Sequence, residues 1–196
     1  MSGPDPGQPS PAAGIRLASL AGDILELAAF RNRSADLERL AAARGVALPA
    51  CGHIASRPPW LTLSVRPGRW LLLSAPATDG DGDGAWKEAT GGCAAAVELS
   101  AALAATVLSG PAVREMLTRS CRLDLAAEAF PEAHAAATIM VQVPVILAAL
   151  GGAMLLLTPA TTARHVHEWL VTTSQTFGLV LAPQASLADF WGDNSA

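Results

Sequence analysis

Residues 138–157 read TIMVQVPVILAALGGAMLLL, and the fold class turns on them. The whole run from Ala135 to Leu157 has no charged side chain and is long enough to cross a bilayer as one helix. Its punctuation argues otherwise. Pro144 sits inside it and Gly151-Gly152 follow, where a hairpin needs a turn. The nearest basic residues are Arg122 and Arg164, so the positive flanks that orient a membrane helix are missing. Thr138–Val143 is rich in β-formers, and Val145–Leu147 continues it beyond Pro144, which marks an edge or a bulge. Ala153–Leu157 then returns. The expectation is a set of short strands.

The same reading extends in both directions. Toward the N-terminus, Trp60–Val65 alternates with period two, Pro67-Gly68 makes a turn, and Arg69–Ser74 is apolar enough to be buried on both faces. Ile15–Leu20 and Asp23–Phe30 read as strands parted by Ala21-Gly22, Cys93–Ser100 as a further strand, and Thr106–Leu108 as a short one. Three helices are expected. Ser34 to Gly45 has Ser34 as N-cap and Gly45 as the C′ residue. A second opens at Pro111, with Val113, Met116 and Leu117 as its buried stripe. A third is capped by Thr161 or Thr162 and buries Val166, Trp169, Leu170 and Thr173. Strands in hairpins, interleaved with helices, define an α+β class of antiparallel sheets with packed helices.

Composition narrows the function. Of the 196 residues, 51% are hydrophobic, which excludes disorder of the whole chain. Basic residues number 13 against 17 acidic ones, so the electrostatic footprint of a nucleic-acid binder is lacking. Three Cys do not make a disulfide framework. Residues 1–14 are dominated by Pro and Gly and are expected as a disordered arm, with no basic or apolar region of a signal peptide. Residues 15–178 are read as one α+β domain, with two lobes meeting near 90–105 as the alternative, and 179–196 as a tail. Charged residues are only 15% of the chain, and none falls between Ala135 and Ala163. An apolar β surface covered by a permanent partner would account for that.

Candidate chemistry is sparse. Asp79-Gly80-Asp81-Gly82-Asp83-Gly84 matches the first half of a calcium loop, but position 12 is Thr90 where a bidentate Glu is needed. An acidic turn is the plainer reading. His165 and His167, two apart on a helix, point about 200° apart and cannot share a metal. Cys51, Cys93 and Cys121 have no zinc spacing, and Cys51 with His53 lacks a second pair. His134 stands alone. No dinucleotide fingerprint, phosphate loop, nucleophile elbow or zinc-protease motif occurs. Ser64, Ser74 and Ser100 end strands without an elbow. Asp124 and Glu128 read as a solvated face, and Trp60, Trp70 and Trp86 as core. Catalytic, cofactor-binding and metal residues are therefore each expected to be none in this chain.

Three ordered stretches resemble the gamma subunit of heterotetrameric sarcosine oxidase. The first is Leu40–Pro49 followed by Gly68–Leu73. The second is Val97–Ser100, Leu108–Leu117, Cys121–Leu125 and Ala129–Pro131. The third is Thr138–Val145, the 153–159 strand and Glu168-Trp169-Leu170. The resemblance implies a fold similar to the aminomethyltransferase domain of the glycine cleavage T protein. It also implies a chain without cofactor, packed directly on an alpha subunit and assembled with beta and delta subunits in the cytoplasm. FAD, FMN, NAD and tetrahydrofolate would sit in the partner subunits. The complex would demethylate sarcosine oxidatively. The second reading is a stand-alone folate-binding aminomethyltransferase-like protein, with Asp23, Glu98 or Asp124 as the acid near the folate amines. A third is the gamma subunit of a related N-methyl amino acid dehydrogenase.

Overall fold

The computed structural model describes residues 14–76 and 82–190. Residues 1–13 of the expected arm and Trp191 lie outside the described residues, as do Asp79, Gly80 and Asp81 of the Asp-Gly run. The element order is β1 (Ile15–Ser19), β2 (Asp23–Ala29), α1 (Ser34–Ala43), β3 (Ile54–Arg57), β4 (Trp60–Arg66), β5 (Arg69–Ser74), α2 (Gly82–Ala89) and β6 (Ala94–Glu98). There follow β7 (Leu103–Ser109), α3 (Val113–Thr118), β8 (Ala135–Met140), β9 (Val143–Leu150), β10 (Ala153–Pro159), α4 (Ala163–Ser174) and β11 (Leu179–Leu181). Short 3₁₀ turns occupy Gln175–Phe177 and Leu187–Phe190.

Two sheets stack face to face. One runs β11-β1-β7-β10-β9-β8, and the other β3-β4-β5-β2-β6. All neighbours pair antiparallel except β1 and β11, which are parallel. The α+β class is thus as read from the sequence. The chain lays down β1, crosses at Ala21-Gly22 to build the whole second sheet, and returns at residues 99–102. Only glycine suits the first crossing. A Cβ on Gly22 would lie 2.6 Å from the carbonyl oxygen of Ser74.

Period-two alternation divides the apolar residues among three layers of core. On β10, Met154 and Leu156 enter a core roofed by Val113, Met116 and Leu117 of α3 and by Val166 and Leu170 of α4. Leu155 and Leu157 point the other way and meet Leu61, Leu63, Leu71 and Leu73 between the sheets. The outer face of the second sheet presents Leu25, Leu27, Trp70 and Leu72 to Leu37 and Ala41 of α1 and Trp86 of α2. The order is helices, sheet, sheet, helices.

This layering narrows one expectation. The charge-free run from Ala135 onward builds β8, β9 and β10, and six of the seven β10 residues are buried within the chain itself. For β10 that composition follows from two-sided burial, while the edge strand β8 leaves Ile139 exposed. Among the described residues no helix is long and apolar enough to cross a membrane.

Several local readings also shift. Thr138–Val143 is not one strand, because β8 ends at Met140 and β9 starts at Val143. The two-residue turn between them has Val141 at φ 50° and Gln142 at φ 64°, a primed hairpin turn without the usual Asn-Gly signal. Gly151 and Gly152 make the next turn at φ 60° and 73°, where glycine was expected. Arg33, not Ser34, is the N-cap of α1, and Ala112 caps α3, so Pro111 precedes the helix. Helix α2 was not foreseen. Its first residues are the Gly82-Asp83-Gly84 end of the run read as an acidic turn.

Two stability outcomes follow. Leu155→Ala opens a void between fully buried neighbours and should cost about 2–5 kcal/mol in urea denaturation. Gln142→Gly relieves a left-handed conformation at an exposed position and should add about 0.5–1 kcal/mol, the strain outweighing the entropy of the new glycine.

Candidate functional site

A cleft of about 340 Å³ opens between the sheets. Alternation aims its lining inward. Glu26 on β2, Leu63 and Val65 on β4, and Arg69 and Leu71 on β5 come from one sheet. Thr138 on β8, Pro144 and Ile146 on β9, and Leu157 and Pro159 on β10 come from the other. Leu99 and Leu103 close the end where the chain returns from β6 to β7. The cleft exists because the first sheet parts there. The β9–β10 register stops at Ile146 opposite Leu157, and the last residues of β10 pair only with β7. Pro144 lies just beyond that point, so its missing N–H interrupts no β9–β10 bond.

The charged groups lining the cleft are Glu26, Arg66 and Arg69, and Glu26 pairs with Arg69. Glu26 lies opposite Leu71, so Arg69 is its diagonal neighbour on β5. Arg69 Nη1 donates to Glu26 Oε1 at 3.1 Å and Oε2 at 3.2 Å. Buried Ser64 positions the turn that carries Arg69, its Oγ lying 2.8 Å from the Arg69 carbonyl oxygen and 3.1 Å from that of Arg66. Among the described residues the lining holds a single carboxylate, already engaged by a guanidinium, and no His, Cys or Lys. Such a cleft suits an apolar body with a polar end. A second hollow, of about 450 Å³, lies beside Arg16, Ser109 and Gln184 at the far end of the first sheet.

The residues singled out from sequence scatter. Asp124 accepts from the Ala126 N–H at 3.0 Å and Glu98 from the Ser100 N–H at 2.7 Å, both local turns. Neither they nor Asp23 line the cleft, whose acid is Glu26. Only its place on the Ile24 face of a predicted strand could have marked it. Ser100 Oγ accepts from the Ile24 N–H at 2.8 Å, a structural duty. Trp60, Trp70 and Trp86 do converge, as core. Trp60 meets Trp86 edge to face at 6.1 Å, and Trp70 Nε1 donates to the Pro49 carbonyl at 2.8 Å. Cys93 and Cys121 are buried and Cys51 is exposed, all as free thiols. His165 and His167 are exposed on α4. His53 and His134 meet, with ring centroids 4.6 Å apart.

With this geometry the chain is similar to solved structures of one architecture. No protein-family model matches it. No curated protein matches it either. A chain of heterotetrameric sarcosine oxidase from Corynebacterium sp. U-96, in complex with pyrrole 2-carboxylate, superposes with a TM-score of 0.75 at 26% identity. That match covers 86% of this chain and 87% of the other. The glycine cleavage system aminomethyltransferase T from Bartonella henselae superposes with a TM-score of 0.64 at 11% identity. The latter match covers 87% of this chain but 48% of the other, so this chain spans about half of that protein. The fold is aminomethyltransferase-like.

The ion pair and the serine should separate in a stability measurement. Glu26→Gln breaks a pair whose arginine is 50% exposed and should cost under about 1 kcal/mol. Ser64→Ala leaves carbonyls short of a buried donor and should cost about 1–2 kcal/mol, read as the urea midpoint.

Proposed function

We propose that this chain is the small, gamma-type subunit of a heteromeric oxidase resembling sarcosine oxidase. One observation carries the reading. The likeness to the sarcosine oxidase chain takes up most of both chains, 86% of this one and 87% of the other. The cleft is consistent with a supporting role, because its one acid is held by Arg69. In this reading the chain packs on the alpha subunit, with beta and delta subunits completing a cytoplasmic heterotetramer. FAD, FMN, NAD and tetrahydrofolate belong to the partners. The complex oxidises the N-methyl group of sarcosine with oxygen as acceptor, releasing glycine and hydrogen peroxide and passing the one-carbon unit to folate. This chain contributes packing and no reacting group. A related N-methyl amino acid is an equally fitting substrate for the complex, since the partners would hold it.

The test is to search the neighbouring reading frames for flavoprotein chains and to co-express this chain with those found. The chain should co-purify with them at fixed stoichiometry, and sarcosine-dependent peroxide formation should require the partners. A lone monomer under those conditions overturns the reading. If that monomer binds tetrahydrofolate, with quenching of the fluorescence of Trp70 beside the cleft, the stand-alone folate-binding alternative takes its place.

A further inference from the structure

The two sheets are stitched together at one seam, and a pair of histidines sits on it. His53 precedes β3 of one sheet, and His134 precedes β8 of the other. The Ile54 N–H donates to the Ala133 carbonyl at 2.8 Å, and the Ala135 N–H to the Gly52 carbonyl at 2.9 Å. These bonds flank His53 and His134, which face each other across an antiparallel bridge. That pattern makes them a non-hydrogen-bonded pair, the position where opposed side chains lie closest.

Both rings are held in the same way. His53 Nδ1 lies 3.3 Å from the Cys51 carbonyl oxygen, and His134 Nδ1 lies 3.1 Å from that of Glu132. A carbonyl oxygen only accepts, so each neutral ring carries its proton on Nδ1 and keeps its lone pair on Nε2. A ring anchored through one N–H to a backbone carbonyl, with the other nitrogen bare, is the arrangement typical of metal-binding histidine. His53 is exposed and His134 half-buried, so the pair is reachable from solvent.

Two rings whose Nε2 atoms face one ion have a spacing that depends on its geometry. With metal–nitrogen bonds of about 2.0–2.1 Å, each ring centroid stands about 3.2 Å from the ion. Two such rings are about 4.5 Å apart when 90° separates them and about 5.2 Å apart at the tetrahedral angle. The observed separation is 4.6 Å, with the ring planes inclined at 48°. Right-angled positions belong to tetragonal and octahedral ions. Among the described residues no group of three or more His, Cys, Asp or Glu is placed to hold a metal ion, so a bound ion would keep water in its other positions.

We propose that His53 and His134 form a two-histidine site for a divalent ion of the nickel or copper type, clasping the seam between the two sheets. The inference does not rest on the proposed function. Binding to the folded seam alone would stabilise the fold, because the unfolded chain separates the two rings.

The full chain, purified without a polyhistidine tag and stripped of metal, is titrated with NiCl₂ by calorimetry, with MgCl₂ as control. Nickel serves as probe because it does not oxidise the free thiols. One Ni²⁺ should bind per chain, and Mg²⁺ should not bind. At free Ni²⁺ tenfold above its dissociation constant the melting temperature should rise by about 3–5 °C. His53→Ala and His134→Ala should each weaken binding at least tenfold and abolish that rise. The double variant His165→Ala/His167→Ala and Cys51→Ser should bind as the original does. Should His134→Ala fail to fold, paramagnetic broadening by Ni²⁺ in the unaltered chain decides. The ring signals of two of its four histidines should vanish, and these should be the ones missing or shifted in His53→Ala. Absent binding, binding unchanged in His53→Ala, or binding lost in Cys51→Ser would each overturn the proposal.

Discussion

Strand β10 is the constraint on which the rest of the structure depends. It lies between β7 and β9, with an apolar layer on each face. A strand in that position can carry no charge on either face, and Ala153–Thr158 is buried throughout. Even residues pack under α3 and α4, and odd residues pack against the second sheet. A slip of one residue would exchange the two sets, so register is strongly specified. The cleft is a consequence of the same strand. β10 outlasts its pairing with β9, and the end it shares only with β7 forms part of the cleft wall.

Much of this was legible because burial and period leave a mark on composition. Arg69–Ser74 read as doubly buried, and its two faces do feed two different cores. Gly151-Gly152 read as a turn, because the backbone there needs positive φ. The turn at Val141-Gln142 was illegible for the converse reason. Tertiary packing imposes positive φ on residues with no preference for it, and partly buried Val141 packs against the core under α3 and α4. Helix α2 was missed because glycine and aspartate are poor helix formers, and what holds the helix is burial of Trp86 against the second sheet.

The low charge of the chain changes meaning once the layers are known. An apolar sequence run can stand for an interface or for a strand with two dry faces, and composition does not separate them. Here the dry faces of β10 are internal, and Ile139 on the edge strand β8 stays exposed. What supports a subunit role is a likeness to a chain of a heterotetrameric oxidase that covers most of both chains, together with a cleft in which Glu26 is held by an arginine.

The sequence by itself determined the α+β class, the strand and helix faces and most turns, because these depend on neighbours a few residues apart. Only the tertiary structure decided which distant groups meet. Glu26 and Arg69 are 43 residues apart, and they pair because β2 and β5 are neighbours in register. His53 and His134 precede strands of different sheets and meet only where those sheets are sewn together. Local periodicity sets the face on which a side chain lies. Strand order and register set what lies opposite, and both are fixed by burying three layers of core at once.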